Sequence, residues 1–132
     1  MLNSFAPIAD FILSDASDHI PEHAKDMAGL LLLDTLGIAI AAAPMEAGVI
    51  ARNTAHALYG TGSEGHGARM LLDGRRVSLA GAAFAMATQT DNLDAHDGYN
   101  PVKGHIGCAT VPALLAFGEQ HSTLSGQDAL TA

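Results

Sequence analysis

Basic residues are scarce in this chain: six Lys and Arg stand against fourteen Asp and Glu, giving 132 residues a net charge of −8. Phosphate binding needs clustered cations, and Arg75-Arg76 is the only basic pair, so the composition argues against a nucleic-acid partner. Cysteine is nearly absent as well. The lone Cys108 has no partner for an intramolecular disulfide, and Met1-Leu2-Asn3-Ser4-Phe5 lacks the basic and apolar regions of a signal peptide, so a cytoplasmic location is expected. A membrane-length apolar run is missing too. The longest candidate, Met27 to Ala43, has seventeen residues and carries Asp34 near its middle. A spanning helix wants about twenty apolar residues, and a central aspartate costs roughly 2.5 to 3.5 kcal/mol, so this stretch reads as a buried helix and no membrane partner is expected.

What the chain does have is apolar content of 48%, enough for one ordinary domain to bury about two thirds of its unfolded surface. The pattern predicts helices. Phe5, Ile8, Ala9, Ile12 and Leu13 fall three and four apart, predicting a helix that starts near Asn3 or Ser4 and ends by Asp18. Pro21 suits the first turn of a second helix running to Ala43, where Pro44 stops it. Apolar on every side from Leu30, that helix is expected at the centre of its layer, with Asp34 capping or hydrogen-bonding inside it. A third helix is expected from Met45 to Tyr59, followed by a flexible glycine-rich loop from Gly60 to Gly67. This loop lacks the Gly-Lys-Ser/Thr ending of a phosphate cradle. Asp73-Gly74 between two short runs predicts a type I′ β-hairpin near residues 68–77.

Ser78 stands where an N-cap belongs, before a small-residue helix from Leu79 to Asp94. Along it Ala80, Phe84, Ala87, Asp91 and Asp94 share one stripe, read as the buried one. A further helix is expected from about Cys108 to Glu119, with Pro112 in its first turn. Ser125 to Ala132 begins like a capped helix and stops within two turns, which reads as an element cut short and a domain left incomplete. The fold class expected is all-α, a helical bundle layer with one small β-hairpin.

The chemistry concentrates between Asp91 and His105, where fifteen residues hold three carboxylates, two imidazoles and one ammonium. Carboxylates at a helix carboxy terminus oppose the macrodipole, each by about 0.3 to 1 kcal/mol, so Asp91, Asp94 and Asp97 are badly placed for helix stability alone. Nearby His96, Lys103 and His105, a metal or a bound substrate would favour them. A plainer reading also exists, in which an Asp and a His near a helix end satisfy one another. Asp97-Gly98 reads as a helix-ending turn, Cys108 as inert packing, and His19, His23, His56, His66 and His121 as scattered, solvated residues.

Three patches in order resemble the MmgE/PrpD family, which includes 2-methylcitrate dehydratase, cis-aconitate decarboxylase and iminodisuccinate epimerase. They are Leu32-Leu33-Asp34-Thr35-Leu36-Gly37, then Asn92-Leu93-Asp94-Ala95-His96-Asp97-Gly98 with Lys103-Gly104-His105-Ile106-Gly107, and Val111-Pro112-Ala113-Leu114-Leu115-Ala116. The resemblance implies that residues 1–132 form the amino-terminal part of the family's helical domain, without its lid domain, in a protein that is usually a homodimer and uses no metal or organic cofactor. By position Asp94 matches the family's active-site aspartate and His105 its active-site histidine. Gly98 stands where the family often has threonine, His96 where an acid is common, and the loop before His105 is one residue longer.

The implied activity is that of a lyase or isomerase, performing dehydration, decarboxylation or epimerisation on a small di- or tricarboxylate. All three reactions move a proton at carbon. His105 suits that step because imidazole titrates near neutrality, Asp94 would orient its ring or act on a leaving hydroxyl, and Lys103 would pair with a substrate carboxylate. Asp91 and His96 are further candidate substrate-binding residues. The isolated chain is expected to be inactive, with uncovered apolar faces. Two other classes of function are weighed. One is a metal site made of Asp91, Asp94, His96, Asp97 and His105, whose spacing does not fit a calcium hand. The other is a non-catalytic helical interaction module.

Overall fold

The computed structural model describes residues 5–13, 19–61, 66–95, 97–121 and 123–131. Among these residues six helices and one hairpin follow in order: α1 Ala6–Leu13, α2 Glu22–Ala42, α3 Glu46–Leu58, β1 Ala68–Arg69, β2 Arg76–Val77, α4 Leu79–Leu93, α5 Gly107–Gly118 and α6 Gly126–Thr131. The mostly helical class with a small hairpin is therefore the observed one. The expected start of the first helix at Asn3 or Ser4 and its end by Asp18 lie outside the described residues, as does 62–65 of the glycine-rich loop.

Prolines set the bounds of α2. Pro21 occupies its N-cap in an extended conformation, and the chain turns at Ala43-Pro44. Pro44 has no N–H to offer Ile40, so the Ala43 N–H tightens onto the Ile40 carbonyl at 3.2 Å. This orphans the Ala39 carbonyl, which accepts instead from Nε2 of buried Gln89 on α4 at 2.6 Å. Arg52 of α3 completes the cap. Its guanidinium donates to the Ala43 carbonyl at 2.9 Å and to Gln89 Oε1, and lies 3.4 Å from the Asp73 carboxylate in the hairpin.

The central helix is α4, not α2. It packs against α2, α3, α5 and both strands, whereas α2 buries only Thr35, Ile38, Ala39 and Ala42 and exposes Leu30, Leu33 and Ile40. Apolar content all round therefore does not mark the centre here, and Asp34 is exposed, not inside the layer. α1 likewise exposes Ile8, Phe11, Ile12 and Leu13. No single helix among the described residues is long and apolar enough to cross a membrane; α2 and α3 meet that measure of length and composition only as a pair, bent by 93°.

Small side chains let the elements around α4 approach closely. Ala55, Ala68, Met70, Val77, Ala82, Ala85 and Ala116 form the core, with Tyr59 packed against it and stacked on Phe84 at 5.6 Å. A Cβ at Gly81 would sit 2.5 Å from Tyr59 Cβ, so only glycine fits that crossing. The buried face of α4 is Gly81, Ala82, Ala85, Met86, Gln89 and Thr90. This corrects the stripe expected from sequence: Ala80, Phe84, Asp91 and Asp94 are exposed.

The hairpin pairs Ala68 with Val77 and Arg69 with Arg76. Its turn is longer than the expected two-residue type I′. Met70 N–H bonds the Arg75 carbonyl at 2.9 Å, and positive φ falls at Leu72 and Gly74 instead of at Asp73 and Gly74. Glu119 at the end of α5 fastens the hairpin from the other side, accepting from Arg69 N and Nε at 2.7 Å each. Pro112 lies in the second turn of α5, buried, not in the first as expected. The Ser125–Asp128 pair forms the expected capping box of α6, with Ser125 N donating to Asp128 at 2.8 Å and Asp128 N to Ser125 Oγ at 3.1 Å.

Candidate active site

Ser78 starts α4 as expected, its hydroxyl accepting from Gly81 N at 3.1 Å. The other end of α4 sets up the site. Asp94 is its C-cap at φ 50° and ψ 39°, in the left-handed region that Asp tolerates better than most residues, and its N–H bonds the Asp91 carbonyl at 3.0 Å. The helix therefore ends on Asp94, and the turn expected at Asp97-Gly98 is displaced three residues upstream. Asp91, in the last turn, and Asp94 are both exposed.

A short loop between α4 and α5 carries the next polar groups. Tyr99 and Gly104 form an antiparallel bridge, with Tyr99 N–H on the Gly104 carbonyl at 3.0 Å. Within it Val102 N–H reaches the Tyr99 carbonyl at 3.1 Å, and Lys103 takes φ 54°. The Lys103 ammonium donates to Asn100 Oδ1. The His105 ring lies over Gly98, where an added Cβ would meet His105 Cε1 at 3.4 Å. Lys103 and His105 line one cavity of about 250 Å³ with Gly98, Tyr99, Asn100 and Gly104. Asp91 and Asp94 do not line it. His96 lies outside the described residues.

The base of the loop is fixed by Asp97, which the motif reading treated as part of a turn. Its carboxylate accepts from Gly107 N, at 3.0 Å to Oδ1 and 3.3 Å to Oδ2, across the start of α5. Cys108 adds a link, its thiol donating to the His105 carbonyl at 3.1 Å and lying 3.9 Å from Asp91 Oδ1. Burial, then Asp91 and then Asp97 push the Cys108 thiol above its usual range, although a helix amino terminus ordinarily lowers a thiol. Among the described residues no group of three His, Cys, Asp or Glu side chains is placed to hold a metal ion.

Charge pairing separates Lys103 from the other cations. Lys25 faces Glu22, Arg52 and Arg75 face Asp73, and Arg69 and Arg76 face Glu119. The Lys103 ammonium meets a neutral amide. The five scattered histidines are all exposed, and His121 stacks on Phe117 at 5.6 Å. Sequence reasoning missed Gln89 and Arg52, whose partners are brought near by the tertiary fold, and it named Asp97 as a turn residue and candidate metal ligand without its bond to Gly107 N.

A second, larger cavity of about 320 Å³ lies among α2, α5 and α6, lined chiefly by apolar residues such as Leu31, Leu32, Val111 and Leu114, with Thr35, Asp97 and Thr110 as polar members.

Fold and site together define a mostly helical domain that displays a cation and an imidazole from one tethered loop beside the acidic end of its central helix. The chain belongs to the MmgE/PrpD family: the model of the MmgE/PrpD N-terminal domain matches residues 6–132. No curated protein and no solved structure matches it significantly.

Proposed function

We propose that this domain supplies the proton-transfer part of a cofactor-independent lyase or isomerase acting on a small di- or tricarboxylate. The observation that carries the reading is that Lys103, whose ammonium has a neutral amide for a partner, lines the same cavity as His105. In a chain of net charge −8, a cation left without a carboxylate among the described residues is well suited to a substrate carboxylate. An imidazole two residues away then takes or delivers the proton at the neighbouring carbon.

Asp94 and Asp91 belong to this reading as groups at the edge of the site. Asp94 would act on a leaving hydroxyl or orient the His105 ring once substrate is bound, and Asp91 and His96 would contact substrate. The choice among dehydration, decarboxylation and epimerisation depends on which bond lies beside the abstracted proton. The domain assembles with a second copy, in keeping with the family's usual homodimer, and works in the cytoplasm.

A panel of citrate-like, aconitate-like and iminodisuccinate-like acids tests the proposal, with binding followed by NMR and turnover by proton exchange at carbon in D₂O. Polycarboxylates should shift the Lys103 and His105 resonances, Lys103→Met should abolish the shift, and His105→Ala should lower any turnover by about 100-fold. A His105→Ala protein with undiminished turnover, or a panel in which no acid moves either resonance, would sink the reading.

A further inference from the structure

We infer that Asp97 is a positioning residue: its carboxylate caps α5 and ties the base of the loop that presents Lys103 and His105. Helix α5 needs such a cap. Its N-cap residue, Ile106, has φ −82° and ψ −32° and offers no side-chain acceptor; its carbonyl takes Ala109 N at 3.1 Å, and Gly107 N must find a partner elsewhere. Asp97 reaches Gly107 N with both oxygens, ten residues along the chain. A negative charge there is also favoured by the positive end of the helix dipole.

Residue 107 is shaped to admit this carboxylate. A Cβ at Gly107 would stand 2.4 Å from Asp97 Oδ1 and 3.1 Å from Thr35 Oγ1, so any other side chain would expel the cap or displace α2. The span from 97 to 107 is thus closed at its base, pinned midway by the Tyr99–Gly104 bridge, and fastened at His105 by the Cys108 thiol. Removing the base takes away the hydrogen bonds that join the start of this loop to α5. Asp97 has a second consequence. Because Asp97 occupies the Gly107 N–H, that donor at the start of α5 is not left for a substrate anion.

The tether stands on geometry alone; its value for catalysis rests on the proton-transfer reading above. The test uses Asp97→Ala and Asp97→Asn, with amide hydrogen exchange and His105 ring resonances read by NMR. In Asp97→Ala the Gly107 amide should exchange about tenfold faster and the His105 ring signals should move, while Ala55 and Ala85 in the core keep their protection. Asp97→Asn retains one acceptor and should rescue part of the Gly107 protection; if Asp97→Ala does not fold, Asp97→Asn alone must still show a measurable loss confined to the loop and the start of α5. Unchanged Gly107 exchange, or an equal loss at Ala55 and Ala85, overturns the inference. Neither readout requires turnover, so an inert His105→Ala phenotype would count against the proposed reaction and leave the tether standing.

Discussion

Gln89→Met should be among the most damaging single changes outside the site, because it uncaps α2 without changing the shape of the core. Gln89 is 1% exposed, and it alone serves two groups: Nε2 donates to the Ala39 carbonyl, and Oε1 accepts from Arg52. Methionine keeps the length of the side chain and loses both bonds. The Ala39 carbonyl, left without a donor in a site that is 0% exposed, costs about 1 to 3 kcal/mol. Arg52 retains the Ala43 carbonyl and Asp73, so the loss on its side is smaller, about 1 kcal/mol, and the apolar gain of methionine offsets about as much. The net destabilisation is therefore about 2 kcal/mol, lowering Tm by roughly 6 to 8 °C for a domain of this size. Urea and thermal melts followed by circular dichroism at the helix band would measure it. An Arg52→Met partner closes a double-mutant cycle, in which the two changes should couple by about 1 kcal/mol. A Gln89→Met protein within about 0.5 kcal/mol of the parent would show that the α2 carbonyls are satisfied by water and refute the capping argument.

Two other outcomes follow from the charges. Arg75, through its side-chain hydrogen bond, holds Asp73 below its ordinary range against the opposing effect of burial; burial raises Glu119, but Arg69 and Arg76 together bring it below its own. Carboxylates depressed in the folded state stabilise above their unfolded values and lose that contribution as pH falls through the folded ones, so the hairpin should loosen progressively below about pH 4.5, seen as faster exchange at Met70 and Val77. Cys108, raised by burial and by Asp91 and Asp97, should alkylate more slowly at pH 7.5 than a free thiol, and Asp91→Asn should speed the reaction; equal rates in the two proteins would contradict the placement of Asp91 beside the sulfur.

Punctuation residues made much of this fold legible from sequence. Pro21, Pro44, Ser78, Asp73-Gly74 and the Ser125–Asp128 pair act within a few residues of themselves, so their effects are local and the bounds of α2, α3, α4 and the hairpin follow closely. Burial was harder to read. In α4 alanine occupies both faces, and the face that goes inside is the one carrying Gln89, whose partner is the Ala39 carbonyl of α2, while Thr90 bonds the Met86 carbonyl within α4 itself. A hydrophobic count cannot see that choice, and so it places Asp91 and Asp94 on the buried stripe, whereas both are exposed. The same limit applies to α2, whose leucines are as apolar on the exposed side as on the buried one. The candidate site shows the complementary pattern: its residue types stood out as a cluster, but the cap that organises them, Asp97 on Gly107, joins two positions that no local motif connects.

The distribution of partners among the charged residues gives the site its physical logic. A strongly acidic chain could satisfy every cation many times over, and here five of the six do lie against a carboxylate. Lys103 has Asp97 only six residues away in sequence, yet Asp97 is engaged at the start of α5, and the left-handed backbone at Lys103 sends its side chain to Asn100. Two local features thus keep the ammonium from the nearest acid. Asp97→Asn would weaken the first of them without adding a competitor, whereas Asn100→Asp would place a carboxylate directly on the ammonium. If Lys103 is held back for an anionic substrate, Asn100→Asp should depress polycarboxylate binding about as strongly as Lys103→Met while leaving the melting temperature unchanged, because an exposed ion pair contributes little to folding. Equal binding by Asn100→Asp and the parent would mean that the ammonium is not the group that meets the acid.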